Sequence, residues 1–344
     1  MYNTFIIVIG VNGVEDMITI ADIAKLSGVA KSTVSRYLNG GSVGEKTSKK
    51  IESVIKETGY TPNKFAQSLK AKKTNIIGTI VPRLDSFATS QTLIGMDDQL
   101  REQGYQLVIS NSSQDLDREI ENIYSLAKQK VAGIILLATE ITERHIEAFD
   151  NIQVPIILVG QEHTDFHSVI HDDYQAAYEL GQYILEKGHR RIAYLGVSER
   201  DIAVGVKRKA GFMKAVSEQP GCEVQYFETS FKIEDAIKNV PNIIKSFHPT
   251  IIACATDNIA LGALKAANME GLTVPDQLSI TGFGGYDITK ITFPGITTAK
   301  FFYKEAGHVA AMNIVKLVNE EQIEKTTLSK FKIMEQESVD KVIY

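Results

Sequence analysis

The chain has 344 residues, with 37 Lys and Arg against 42 Asp and Glu for a formal net charge of −5. That length holds more than one domain and a substantial core, and the composition is that of an ordinary globular protein, which excludes disordered and fibrous classes. Two cysteines, Cys222 and Cys254, exclude a disulfide framework and fit a reducing, cytoplasmic setting.

The charge is unevenly placed. Residues 17–73 hold 11 Lys and Arg and 4 Asp and Glu, a net +7, which leaves −12 for the remainder; this is the pattern of a basic head on an acidic body. Ahead of the head, residues 1–16 include an apolar run, 5–11, far too short to cross a bilayer. No Lys or Arg precedes it and no small-residue cleavage site follows, so it does not read as a signal peptide. This extension is given no function.

Residues 19–39, TIADIAKLSGVAKSTVSRYLN, organise the head. Thr19 is a good N-cap for a helix over about 20–26, Gly28 sits in a tight break, and a second short helix runs over about 31–38. Ile20, Ile23, Ala24, Val29, Val34 and Leu38 can close one small core, leaving Ser32, Thr33, Ser35 and Arg36 to face outward. Two short helices joined by a Gly-containing turn form a helix-turn-helix, whose second helix fits the DNA major groove. The loop Gly40-Gly41-Ser42-Val43-Gly44 matches the G-x-S-x-G pattern of serine hydrolases, but a polar helix precedes it where that motif needs a buried strand. A third helix over about 45–58 presents Ile51, Val54 and Ile55 on one face and completes a three-helix headpiece.

The run Val29-Ala30-Lys31-Ser32-Thr33-Val34-Ser35-Arg36, with Leu38-Asn39 behind it, resembles the N-terminus of lactose-repressor-type (LacI/GalR) transcription regulators, and the resemblance extends over nearly the whole chain from Met17. It implies a DNA-binding headpiece over 17–62, with Lys31, Ser32 and Arg36 reading bases, Thr33, Ser35 and Asn39 placed at phosphates or setting orientation, and Thr19 as a further DNA-binding residue. Arg against a guanine edge is the most specific of these contacts, whereas phosphate contacts carry little sequence information. After the break at Pro62, a short segment such as 64–70 is marginal as a helix in water. The resemblance makes 63–74 a hinge helix and linker: Asn63 and Ala66 match it, and Leu69 matches the residue that wedges into the minor groove.

From residue 75 apolar runs alternate with amphipathic stretches. The runs fall at 76–81, 107–110, 133–137, 155–159, 191–195, 251–255 and 278–281; helical stretches fall at 92–103, 116–130, 174–187, 207–218 and 258–270. Apolar strands alternating with helices imply parallel sheets buried on both faces. About 270 residues suit two lobes, the first over about 75–161 and the second over about 172–292, with a returning helix near 303–317 and a further strand within 328–335. The expected fold is therefore an all-α helix-turn-helix headpiece plus α/β, two doubly wound lobes of periplasmic-binding-protein type. Residues 75–344 form the effector-binding and dimerisation domain, with ligand held between the lobes at the carboxyl ends of the strands.

Candidate ligand contacts follow. Arg208 offers a planar fork of donors suited to vicinal hydroxyls or a carboxylate, and its place ahead of Ala210-Gly211-Phe212 resembles the effector-binding Arg of the family. Asp257 ends one strand and starts a helix, where it serves as a cap, a ligand contact or both; the stretch 255–264 resembles a family motif with Thr256 in place of its usual Asn. Gly284 stands where relatives carry a sugar-binding acid, with Asp287 as its replacement from a shifted loop, and Gly-Phe-Gly-Gly-Tyr at 282–286 resembles sucrose-operon repressors of Gram-positive bacteria. Ser86 and Phe87 match a loop that relatives place against the effector; Phe87 reads equally as a core residue at a helix start. Gln161 lies one residue past a position often acidic in the family.

His163, His167 and His171 fall on a loop and strand rather than on one helical face, so no metal is expected; no cofactor and no catalytic residue is assigned. Asp172 or Asp173 caps the next helix. The leading reading is a cytoplasmic repressor of a sugar-utilisation operon. It acts as a homodimer on double-stranded operator DNA, under allosteric control by a sugar or sugar phosphate, with no membrane role. The alternatives are a catabolite-control regulator of the same family, with or without a phosphoprotein partner, and a sugar-binding protein without DNA function. An enzyme using Asp257 and Asp287 as a carboxylate pair is the remaining class.

Overall fold

The computed structural model describes residues 18–38, 40–60 and 74–342, and the chain divides into two compact units at Lys72 and Lys73. Asn39, Asn63, Ala66 and Leu69, the hinge helix and the 1–16 extension lie outside the described residues.

The N-terminal unit contains α1 (Ile20–Ser27), α2 (Lys31–Leu38) and α3 (Glu45–Thr58). Thr19 and Asp22 form a reciprocal capping box: the Asp22 amide donates to Thr19 Oγ1 and the Thr19 amide donates to Asp22 Oδ2, which satisfies donors that the helix itself cannot. Gly28, at φ +69°, ends α1 in the left-handed conformation that a Cβ disfavours. Ile23, Ala24, Val34 and Ile51 are buried together, with Ile20, Val29, Leu38, Val54 and Ile55 packed around them. The core is small, so a single methyl-rich side chain is a large part of it.

The C-terminal unit is built on two six-stranded sheets. The strands are β1 (Ile76–Val81), β2 (Gln106–Asn111), β3 (Gly133–Leu136), β4 (Ile156–Val159), β5 (His167–His171), β6 (Arg191–Gly196), β7 (Glu223–Glu228), β8 (Ile251–Cys254), β9 (Ser279–Gly284), β10 (Thr297–Phe301), β11 (Thr326–Ser329) and β12 (Phe331–Met334). The first sheet runs β11-β5-β4-β3-β1-β2, all parallel, and the second β12-β10-β9-β8-β6-β7, parallel except for the β10–β12 pair. Most of the central strands are buried along their whole length, as parallel sheets covered on both faces require. The first lobe carries α4 (Phe87–Glu102), α5 (Leu116–Lys128) and α6 (Glu143–Asn151), and the second carries α7 (Asp173–Glu186), α8 (Lys209–Ser217), α9 (Ile233–Phe247) and α10 (Asp257–Met269). The returning helix α11 (Tyr303–Val318) packs on α4 so closely that a Cβ at Gly95 or Gly307 would strike the backbone of the other helix.

The chain therefore crosses between lobes three times, at 171–173, 301–303 and 329–331. Three short connectors let one lobe turn against the other without disturbing either sheet. The single strand expected within 328–335 is two strands, one completing each sheet, because the third crossing splits it. The first lobe also extends past residue 161, since β5 pairs with β4 and β11. The stretch expected as one helix over 207–218 begins earlier as a π-helical turn, Ile202–Arg208, that runs straight into α8.

Candidate functional site

Each of the two units carries a candidate surface. In the headpiece, Lys31, Ser32 and Arg36 are exposed along α2, while Val34 on the opposite side is buried. Thr33 and Ser35 are half-buried rather than fully outward. Thr19 is exposed at the start of α1 with its hydroxyl engaged by Asp22 at 2.6 Å. The arrangement gives one helix face two cations and a hydroxyl with no competing carboxylate on α2.

In the C-terminal unit a cavity of about 160 Å³ lies between the lobes. Arg208 and Gln161 line it, together with Thr139, His171, Asp201 and Thr256. Arg208 is buried at 6% exposure. Its Nε donates to Asp173 Oδ1 at 2.7 Å and its Nη1 to the Ala255 carbonyl at 2.8 Å, and its guanidinium lies 4.5 Å from the Phe283 ring centroid and 5.3 Å from that of Phe301. Burial disfavours the charge, but Asp173, together with Tyr303 and Tyr286 beside it, holds the pKa above the ordinary guanidinium value. Burial likewise pushes the Asp173 carboxyl up, against the pull of Arg208. A guanidinium does not deprotonate in proteins, so the cavity wall carries a fixed cation whose partner is held in place by α7.

Local sequence explains this placement. Asp201 caps the π-helical turn by accepting from the Val204 amide at 2.9 Å. Gly205 lets that turn lie against the Ser198 carbonyl, where a Cβ would collide. The wide turn delivers Arg208 to the cavity at the join with α8; π-helical turns occur frequently at functional sites. His171, on the first crossing, packs 4.8 Å from the Phe301 ring and 5.0 Å from the Tyr303 ring. Burial, then Arg208, pushes its pKa down to about 3, so it is neutral at physiological pH, and its Nδ1 has no hydrogen-bond partner among the described residues.

The other expected contacts do not converge here. Asp257 is fully buried, with Oδ2 accepting from the Tyr286 amide at 2.7 Å and Oδ1 from Thr298 Oγ1 at 2.6 Å. Burial raises its pKa to about 6. Thr256, not Asp257, is the N-cap of α10, and Asp257 pins the β9–β10 connection instead. Asp287 is exposed and pairs with Lys290 at 3.1 Å. It shares a separate cavity of about 250 Å³ with Phe87. The Phe87 ring lies 4.4 Å from that of Tyr286, a contact between lobes, and Ser86 is spent as the N-cap of α4. Asp172 is the cap of α7, leaving Asp173 free for Arg208.

Asp201, His171 and Asp173 were not singled out from sequence as ligand contacts. Asp201 had a signal, an Asp seven residues before the Arg at the start of an amphipathic stretch; His171 had none, because only the crossing between sheets brings it to the cavity. His163 and His167 go elsewhere, to Asp165 and to the Glu324 carbonyl. Contacts between the lobes include Phe87 on Tyr286, Lys207 on Glu162 at 2.9 Å, Arg83 4.9 Å from the Phe231 ring, and His171 on Phe301.

Comparison with known proteins gives a family for each unit. The model for bacterial regulatory proteins of the lacI family matches residues 19–63, and that for periplasmic binding proteins and the sugar-binding domain of the LacI family matches residues 74–336. The chain is 41% identical over 310 residues to a sucrose operon repressor of Staphylococcus xylosus, covering 90% of this chain and 96% of that one. It is 29% identical over 315 residues to catabolite control protein A of Priestia megaterium, covering 90% and 95%. Among solved structures, the lac repressor dimer bound to operator and the anti-inducer ONPF superposes with a TM-score of 0.87 at 22% identity, covering 94% of this chain and 99% of that one.

Proposed function

Because the chain belongs to the LacI family of bacterial regulatory proteins, we propose that it is a sugar-responsive transcriptional repressor, and that sucrose or a close relative is its effector. Residues 17–62 bind DNA, 63–74 link and hinge, and 75–344 hold the effector and the dimer contact. The observation that carries the effector reading is the buried Arg208–Asp173 pair on the wall of the interlobe cavity. With two of its N–H groups spent on protein, the fork keeps donors for ligand hydroxyls. Gln161, Asp201, Thr139 and the neutral His171 supply further polar groups on the lining, and Asp201 takes the part of the acid missing at Gly284. Asp257 acts behind the lining by fixing Tyr286, Phe87 acts on the contact between the lobes, Ser86 caps α4 and Asp287 pairs with Lys290.

At about 160 Å³ the cavity is smaller than the roughly 300–1,000 Å³ of pockets that hold drug-sized ligands. A disaccharide therefore binds best with the lobes further apart, and its affinity difference between the two lobe angles is what drives the switch. On the DNA side, Arg36, Lys31 and Ser32 read base edges, while Thr19, Thr33, Ser35 and Asn39 set position on the phosphates. Asn63, Ala66 and Leu69 serve the hinge. One headpiece reads only a half-site, so the protein works as a homodimer. Ile288 (46% exposed), Ile291 (80%) and Phe293 (95%) form an exposed apolar tip on the second lobe, a surface suited to a second copy of the chain. Nothing in the cleft is given a catalytic role.

The test is selection from a random duplex pool by the full chain, followed by binding measurements with and without sucrose. A two-fold-symmetric site whose affinity changes with sucrose is the expected result. A symmetric site indifferent to sucrose keeps the repressor and discards that effector. A folded dimer that enriches no sequence at low salt overturns the DNA reading and leaves a sugar-binding protein.

A further inference from the structure

Resting on the effector assignment above, we propose that Asp201 makes the interlobe cavity selective for neutral, unphosphorylated sugars and against sugar phosphates. Sucrose and its phosphate esters share most of their hydroxyls, so similarity to a sucrose repressor does not choose between them. The charge on the cavity wall does.

Arg208 is the cation of the lining, and Asp173 and Asp201 are its carboxylates. Asp173 engages Arg208 at 2.7 Å, and the Ala255 carbonyl holds a second arm of the fork. The Phe283 and Phe301 rings lie 4.5 and 5.3 Å from the guanidinium carbon. What Arg208 still offers a ligand is a charge-balanced donor edge, which suits a hydroxyl. His171 adds no charge, because burial pushes its pKa down to about 3. The neighbouring cations are engaged as well: Lys207 with Glu162 at 2.9 Å, and Arg83 with Asp85 at 3.8 Å and over the Phe231 ring.

Asp201 is the acid left over. Arg208 and Arg83 bear on it electrostatically, but neither closes an ion pair with it among the described residues. Its Oδ1 accepts from the Val204 amide at 2.9 Å, which fixes the carboxylate at the start of the π-helical turn. Behind the wall, Asp257 adds a carboxylate that is hydrogen-bonded to Tyr286 and Thr298 rather than to a cation.

A carboxylate accepts hydrogen bonds and donates none. A sugar hydroxyl donates to it. A phosphate ester carries about −1.5 to −2 charge at pH 7 and presents acceptor oxygens, so it is repelled, and more strongly inside a cavity than in water. The helix starts beside the cavity do not offset this. Ser86 caps α4 and Thr256 caps α10, and each engages an amide that an anion would use.

Calorimetric titration of the full-length protein with sucrose and with sucrose 6-phosphate reads the preference. Sucrose is expected to bind at least about tenfold more tightly. Asp201→Asn removes the charge and keeps an oxygen for the Val204 amide, since Asn caps helices as well as Asp does. It is expected to narrow the gap about tenfold, mainly by tightening the phosphate ester. Asp287→Asn, at an exposed acid paired with Lys290, is expected to leave the gap as it is. A phosphate ester that binds the parent as tightly as sucrose overturns the proposal and leaves a sugar-binding cleft intact. So does a gap that Asp201→Asn leaves unchanged, because the preference then arises elsewhere. If neither ligand binds, the sucrose reading itself fails and the selectivity falls with it.

Discussion

The headpiece and the two-lobed body place their chemistry on opposite sides of their surfaces. In the headpiece, Ile23, Ala24, Val34 and Ile51 do nothing but pack, and the residues assigned to DNA stand outside on α2. In the body, the residue assigned to ligand is inside: Arg208 is 6% exposed and shares its burial with Asp173. A surface cation contributes to recognition and little to stability. A buried ion pair is part of the fold as well as part of the site, and removing one partner leaves an uncompensated charge. The contrast predicts that function and stability separate cleanly in the first unit and not in the second.

The sharpest way to break this contrast is Arg208→Ala. It should lower stability by about 3–5 kcal/mol in urea unfolding and abolish the sugar response together, with the Arg208→Met, Asp173→Leu double variant recovering much of the stability but none of the response. Stability unchanged in the single variant would show that the pair is solvated and the distinction false. Arg36→Ala should do the reverse: about 1–3 kcal/mol less DNA affinity, with relaxed sequence preference at one position of the half-site, and unfolding within about 0.5 kcal/mol of the parent.

Acid sharpens the same comparison. The His171 proton binds at about 3 in the folded chain and at 6.5 in the unfolded one, so the unfolded state takes up the extra proton in between. The stability due to neutral His171 is intact above pH 6.5 and falls by about 1.4 kcal/mol per pH unit below it. His189, pushed down to about 4 by burial, acts in the same sense. Asp257, raised to about 6, opposes them because its folded form takes up the proton first. His171→Gln should therefore flatten the fall in urea midpoint between pH 6.5 and 5 by close to one proton. An unaltered slope would place His171 in contact with solvent. The smallest effect belongs to the headpiece: Thr19→Ala, by removing the capping box, should cost about 1 kcal/mol of headpiece stability, read as earlier loss of DNA binding on heating with the sugar response unchanged.

How much the sequence revealed divides along the same line. The helix-turn-helix was legible because its signals are local: a Thr cap, a Gly break and an apolar stripe within twenty residues. Most strands of the lobes were legible as apolar runs. The edge strand β7 was not, since Glu223-Val224-Gln225-Tyr226-Phe227-Glu228 carries charges at both ends, and α9 was masked by Pro241 within it. Arg208 was visible by its neighbours in sequence, and Gln161 by its place after a strand. Asp257, read as a cap, a ligand contact or both, and Asp287, read as a replacement acid, came from the family resemblance; their protein partners, Tyr286 and Thr298 for the first and Lys290 for the second, could not be read from it. His171 and Asp173 gained their places only when the chain crossed between sheets, a relation no local pattern encodes. The split of the last segment into β11 and β12 escaped for the same reason.

The central claim is that the interlobe cleft and the headpiece are energetically linked. The most direct measurement is calorimetric titration of sucrose into the free protein and into its complex with the selected operator. Linkage predicts two different affinities whose ratio equals the factor by which saturating sucrose changes operator affinity. Equal sucrose affinity in the free and DNA-bound protein would contradict it.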